Sequence, residues 1–153
     1  ATDNVAAETG VYRAFENLDA ADATGALTVT GAAATTRIVT GDGNDVVNVA
    51  AATGVTFIDT GAGNDRVTGS ARADTVVYGP GSDTVDAAGG VDTLLVRAGA
   101  PTLTINFGVA AGTDQVSGGS VYRNFENLDA ADADASINVT LGAASTRIVT
   151  GVA

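Results

Sequence analysis

Between Thr60 and Leu95 the chain reads TGAGNDRVT, GSARADTVV, YGPGSDTVD and AAGGVDTLL, four consecutive blocks of nine residues. Asp65, Asp74, Asp83 and Asp92 hold the sixth place of each block, and Val67, Val76, Val85 and Leu94 the eighth. A period of nine cannot be an α-helix, whose apolar positions recur every three or four residues. Glycines early in the block, an acid at its centre and β-branched residues after it describe a tight turn followed by a short strand. Two blocks close one coil of about 18 residues, and coils stacking at roughly 4.8 Å make a parallel solenoid.

The eighth-place anchor can be followed outward from that core. It passes back through Ile58, after a two-residue insertion, to Val47, Ile38 and Val29, with Phe15 and Val5 before them. It passes forward through Leu103, Val116, Phe125, Val139 and Ile148. All of these positions are large and apolar, so the sequence predicts an all-β chain. The expected fold is a right-handed parallel β-solenoid of the β-roll or β-helix kind, with about 18–22 residues per coil and about seven to eight coils. A core that narrow suits small apolar side chains, in keeping with only 3 Tyr, 4 Phe and no Trp. Residues 50–54, 105–113 and 130–135 break the period and are expected to bulge from the turns as loops. Counting anchors from Val29 to Val139 gives eleven half-coils, an odd number, which would put equivalent loops of successive repeats on opposite edges.

On a longer scale the chain repeats at an offset of 110. VYRAFENLDAADA at Val11–Ala23 returns as VYRNFENLDAADA at Val121–Ala133, and TRIVTG at Thr36–Gly41 returns at Thr146–Gly151. From Val11 to Gly41, 22 of 31 positions are identical to their counterparts. The expected organisation is one continuous solenoid over 1–153, about one and a third copies of a 110-residue unit. Within it a nonapeptide core at 40–95 is flanked by the duplicated segments 11–41 and 121–151. Starting at Ala1 and stopping in mid-unit, the sequence is expected to be a piece of a longer repetitive protein.

TGDGND at Thr40–Asp45, TGAGND at Thr60–Asp65 and YGPGSD at Tyr78–Asp83 resemble the nonapeptide G-G-x-G-x-D-x-U-x of RTX, or hemolysin-type, calcium-binding proteins. The FENLD segments are similar to those that accompany such repeats in large secreted bacterial adhesins. Thr40, Thr60, Tyr78 and Ala87 stand where the motif has its first glycine, Ser70 its second and Arg72 its fourth, which weakens the match most at 69–74. The resemblance implies calcium ions between stacked turns. Their ligands would be the carboxylates of Asp45, Asp65, Asp83, Asp74 and Asp92 and the backbone carbonyls of Gly41, Gly43, Gly61, Gly63, Gly79, Gly81 and Gly90. Consecutive turns alternate between the two edges of the coil, so turns about 18 residues apart share an ion. Asp45 then pairs with Asp65 and Asp65 with Asp83 on one edge, and Asp74 with Asp92 on the other, with Asp114 next in line after Asp92. The resemblance also implies type I secretion and an extracellular or cell-surface location, the chain folding outside the cell where calcium is abundant.

The chemistry agrees with the composition. A hard cation such as Ca²⁺ takes six to eight oxygens, and glycine lets a turn aim its carbonyls inward. The chain carries 18 Asp+Glu against 7 basic residues, all Arg, for a net charge of −11. Three or four dications would leave −5 to −3, so folding and ion binding should be coupled. So acidic a surface repels nucleic acid and anionic membranes, and no run approaches the roughly 18 apolar residues of a membrane span. Without His, Cys or Lys, the usual general bases and nucleophiles are missing, and the chain is expected not to be an enzyme.

The expected function is that of a calcium-binding structural segment of a secreted bacterial surface protein, such as an adhesin, biofilm-matrix, filament or S-layer component. It would act as a calcium-triggered folding unit and rigid spacer or assembly module. Its partners would be calcium, identical chains end to end or neighbouring repeats, and cell-surface glycans. An ice- or carbohydrate-binding solenoid is the alternative, resting on Thr28/Thr30, Thr102/Thr104 and the Tyr12–Arg13 and Tyr122–Arg123 pairs; these tyrosines could instead cap the coil edge. A non-catalytic module of a polysaccharide-modifying enzyme is a third class. Asp19, Asp22, Asp129, Asp132 and Asp134 read as solvated loop acids.

Overall fold

The computed structural model describes residues 10–143 and 147–151 together with the backbone of 2–4. Among the described residues there is no helix, and parallel strands stack as a β-solenoid of about seven turns. One sheet has eight strands: β1 (Thr2–Asn4), β3 (Asn17–Asp19), β5 (Arg37–Val39), β7 (Thr56–Asp59), β9 (Asp74–Val77), β11 (Thr93–Leu95), β14 (Asn127–Ala130) and β16 (Arg147–Thr150). The facing sheet has six: β2 (Gly10–Arg13), β4 (Leu27–Thr30), β6 (Val46–Asn48), β8 (Arg66–Thr68), β10 (Thr84–Asp86) and β13 (Val121–Arg123). Two further strands, β12 (Leu103–Asn106) and β15 (Ile137–Thr140), pair with each other.

Strands of three or four residues suffice because each supplies only one or two inward side chains. In the larger sheet Leu18, Ile38, Ile58, Val76, Leu94, Leu128 and Ile148 lie in register, one above another. The facing ladder is Tyr12, Val29, Val47, Val67, Val85 and Tyr122. Apart from the partly buried Tyr12 and Ile148, all of these are essentially inaccessible to solvent, and each such burial contributes about 1.5–3 kcal/mol. The period-nine anchors from Val29 to Leu94 are thus the core.

Outside that window the anchors shift. Leu18 and Leu128, not Phe15 and Phe125, fill the ladder, while Phe125 is buried in the turn before β14. Val5 lies outside the described residues. Tyr122 is open to no sugar: it is 1% exposed and stands in the ladder beside Val85. Residues 107–120 are the cause of the largest departure. After β12 the chain doubles back, and Val116 bridges antiparallel to Ile105. Asn106 N–H donates to Gln115 O at 2.7 Å, and Gln115 N–H to Tyr122 O at 2.7 Å. The Gln115 side chain pins the turn before β14 through two bonds of 2.8 Å to the Phe125 backbone.

The segment around Val116 therefore lies between β12 and β13, and Leu103, Val116 and Tyr122 all belong to one side of the coil. Counting each anchor as a half-coil fails there. The first two strands of both copies consequently fall in the same sheets, Tyr12 with Tyr122 and Leu18 with Leu128, whereas β4 and its counterpart β15 lie in different ones. The turns before β3 and β14 share one edge, each entered through a left-handed residue, Ala14 (φ 63°) and Asn124 (φ 64°). The expectation that equivalent loops alternate between edges is overturned.

Candidate metal centre

Three turns stack on one edge, at 40–45, 60–65 and 78–83, and two on the other, at 69–74 and 87–92. Each ends in its aspartate, and each aspartate is buried, at 1–2% exposure for Asp45, Asp65, Asp74, Asp83 and Asp92. A backbone ladder holds them there. Leu27 N–H donates to Asp45 Oδ1 at 2.8 Å, Asp45 N–H to Asp65 Oδ1 at 2.8 Å, and Asp65 N–H to Asp83 Oδ1 at 3.1 Å. On the other edge Thr56 N–H donates to Asp74 Oδ1 at 3.2 Å and Asp74 N–H to Asp92 Oδ1 at 2.7 Å. Asn44 and Asn64 run a parallel outer ladder, accepting from Asn64 N–H and Ser82 N–H at 2.8 Å.

One oxygen of each carboxylate is thereby spent; the fate of the other differs. Oδ2 of Asp45, Asp65 and Asp92 is buried without a hydrogen-bond partner. An unanswered buried carboxylate is costly, and the ordinary response is to take up a proton or a cation. Burial pushes the Asp65 carboxyl up to about 6 and that of Asp92 to about 7, and raises Asp45 as well. Neighbouring acids push in the same direction, Asp83 and Asp45 on Asp65, Asp74 and Glu126 on Asp92.

The glycines are the second feature these turns share. Gly41, Gly43, Gly61, Gly63, Gly81 and Gly90 all have positive φ, from 71° to 143°. They are stacked so closely that a Cβ on Gly61 would overlap the Gly41 carbonyl oxygen, one on Gly63 that of Gly43, and one on Gly81 that of Gly63. Within the described residues the carbonyls of Gly41, Gly43, Gly61, Gly63 and Gly79 accept no hydrogen bond, whereas those of Ala62 and Pro80 take Gly43 N–H and Gly63 N–H. Carbonyls and carboxylate oxygens without hydrogen-bond partners in the same stacked turns are hard oxygens of the kind calcium takes. Among the described residues no three acidic side chains converge on one point, so an ion here would draw on one or two carboxylates and on carbonyls.

Two of the five aspartates are satisfied otherwise. Asp74 Oδ2 accepts from Ser70 N–H at 2.7 Å and its Oδ1 from Ser70 Oγ at 3.3 Å, so the turn with the weakest motif is self-contained. Asp83 Oδ2 accepts from the Tyr122 hydroxyl at 2.6 Å, and that hydroxyl accepts from Gly79 N–H at 3.3 Å. Tyr78 stacks on Tyr122 with ring centroids 5.2 Å apart, and burial, followed by the Asp83 contact, raises the Tyr122 hydroxyl. Ser120 Oγ takes Asp83 N–H at 3.0 Å and so closes the ladder. Gly81 O accepts from Ser120 Oγ at 3.1 Å.

Asp114 is not brought to Asp92. It is exposed on the excursion, where its Oδ1 accepts from Val116 N–H and Tyr122 N–H, both at 3.1 Å. Glu126 stands over Asp92 in its place, Oε2 accepting Asp92 N–H at 2.8 Å. Periodicity could not have found Glu126, which lies 34 residues beyond Asp92, whereas Asp114 lies at about one coil's length. Tyr122 and Ser120 were hidden for the same reason.

The strand-end acids form a separate population. Asp59 pairs with Arg97 at 2.7 Å, Asp86 with Arg123 at 3.3 Å, Asp19 with Arg37 at 3.4 Å and Asp129 with Arg147 at 3.8 Å. Asp19 and Asp129 are thus strand residues rather than loop acids, while Asp22 and Asp132 are exposed and Asp134 accepts from Gly99 N–H at 2.8 Å. The arginines answer the acids on the sheet faces and leave the edge carboxylates to something else.

A parallel solenoid whose glycine turns stack buried aspartates in register belongs to the class of repeat solenoids. Residues 59–94 and, overlapping them, 68–103 match the RTX calcium-binding nonapeptide repeat (4 copies). Residues 59–103 are thus a stretch of RTX repeats within the chain. No curated protein and no solved structure matches it.

Proposed function

We propose that the chain is a calcium-stabilised structural segment of a secreted bacterial surface protein, exported by a type I system, folding on meeting extracellular calcium and then serving as a rigid spacer or assembly module. It is read as non-catalytic. The observation that supports the calcium reading is the set of buried carboxylate oxygens without hydrogen-bond partners on Asp45, Asp65 and Asp92, in turns whose glycine carbonyls accept no hydrogen bond either. In this reading one ion lies between the turns of Asp45 and Asp65, one between those of Asp65 and Asp83, and one at Asp92. Gly41, Gly43, Gly61, Gly63, Gly79, Gly81 and Gly90 supply carbonyls to them, and Asp114 is left out. Three dications would bring the net charge from −11 to −5. Bound calcium would supply the positive charge that lets neighbouring coils close over their aspartates.

The secreted, surface-located role rests on the family, whose repeats are generally found in exported proteins, and on the tandem 110-residue unit, which suits a spacer better than an active site. An ice-binding face would need threonines repeated from coil to coil. Thr28 and Thr30 are followed instead by Val46 and Asn48, then by Arg66 and Thr68.

Equilibrium dialysis against calcium tests the reading. About three ions per chain are expected at neutral pH, with Asp65→Asn losing two of them because Asp65 borders two intervals. Uptake should fall as the pH drops below about 6, since protons compete for the same oxygens. Absence of saturable uptake would refute it.

A further inference from the structure

Asp92 is the turn acid whose charge is least answered. It is 1% exposed, and its Oδ2 has no partner. Its block opens with Ala87, so no hydroxyl of its own turn reaches it, unlike Asp74 one coil below with Ser70. From below, Asp74 N–H donates to its Oδ1. From above comes a second carboxylate: Glu126 Oε2 accepts Asp92 N–H at 2.8 Å. The Gly90 turn lies so close over the Arg72 carbonyl that a Cβ would overlap it, and that carbonyl accepts no hydrogen bond within the described residues. The Asp74 and Glu126 carboxylates both raise the cost of charge on this buried oxygen, which a proton or a cation would relieve.

We propose that Glu126 is a calcium ligand, completing with Asp92 an ion site that the nonapeptide blocks alone do not contain. The proposal rests on the calcium reading above. Glu126 lies outside the residues that match the RTX repeat and belongs to the FENLD segment. It therefore gives that segment a task, to close the ion column of the nonapeptide block before it with a carboxylate. The other edge is closed without charge, by the Tyr122 hydroxyl on Asp83. Glu16 holds the equivalent place in the first copy, so in a tandem array each FENLD glutamate would seal the block preceding its own.

Glu126→Gln in the full chain tests this, because glutamine keeps an oxygen for Asp92 N–H and removes only the charge. Bound calcium should fall by one ion, or that ion should bind at least about tenfold more weakly. The slope of stability against the logarithm of calcium concentration should drop by the equivalent of one ion, a readout that holds even where the ion-free chain is unfolded. If E126Q matches the wild type in both measurements while Asp65→Asn loses ions, Glu126 is a cap and not a ligand. If the wild type itself takes up no calcium, the calcium reading falls and this site with it.

Discussion

Stripped of divalent ions at pH 8, the chain is expected to give the circular dichroism of an unfolded polypeptide, and to regain strand signal either when calcium is added or when the pH is lowered to 5. The sign follows from the raised carboxyls. Asp65 titrates at about 6 and Asp92 at about 7 in the fold, against 3.8 for an ordinary aspartate. Folding therefore takes up protons, and the stability it gains is complete below pH 3.8 and lost as the pH rises through 6 to 7. An ordinary acidic protein, whose carboxylates are paired in the fold, behaves in the opposite way across that window. Calcium should abolish the dependence at neutral pH by neutralising the same oxygens without a proton. An ion-free chain equally folded at pH 8 and pH 5 would show that the buried aspartates carry no unanswered charge.

Gly63→Ala is expected to be the most damaging of the small substitutions. The residue has φ 141°, where a side chain is strained, and its Cβ would overlap the Gly43 carbonyl oxygen one coil below. Neither coil can yield, since Gly81 lies on the Gly63 carbonyl in the same way from above. Backbone strain and steric overlap together should cost about 4 kcal/mol or more, measured by urea unfolding in saturating calcium. They should also spread the carbonyls on which two ion intervals depend. Gly54→Ala is the control: nothing lies within 4 Å of a Cβ there, and its effect should stay within about 0.5 kcal/mol. Equal effects of the two substitutions would contradict the close stacking of the turns.

The sequence was most legible where its period was constant. From Val29 to Leu94, with one two-residue insertion before Ile58, each eighth-place residue points inward, because a nine-residue block leaves one strand and one turn little freedom of register. The five aspartates of that window are buried at the edges for the same reason. Beyond Leu95 the period is not a physical constraint, since the excursion over 107–120 lets the chain place Val116 antiparallel to Ile105 without a turn of the coil. Leu128 could then replace Phe125 in the ladder, Glu126 could replace Asp114 over Asp92, and Tyr122 could reach Asp83 from 39 residues away. Such contacts join residues with no common spacing, and only the folded chain brings them together. The difference between Asp83, whose Oδ2 accepts from a tyrosine hydroxyl, and Asp65, whose Oδ2 is buried without a hydrogen-bond partner, is equally invisible in two blocks that read YGPGSD and TGAGND.

The most direct test of the central claim is anomalous diffraction from crystals of the chain grown in calcium. Peaks are predicted between the turns of Asp45 and Asp65, between those of Asp65 and Asp83, and between Asp92 and Glu126. Well-ordered turns with water alone at those three places, and calcium only at the lattice surface or nowhere, would contradict the account.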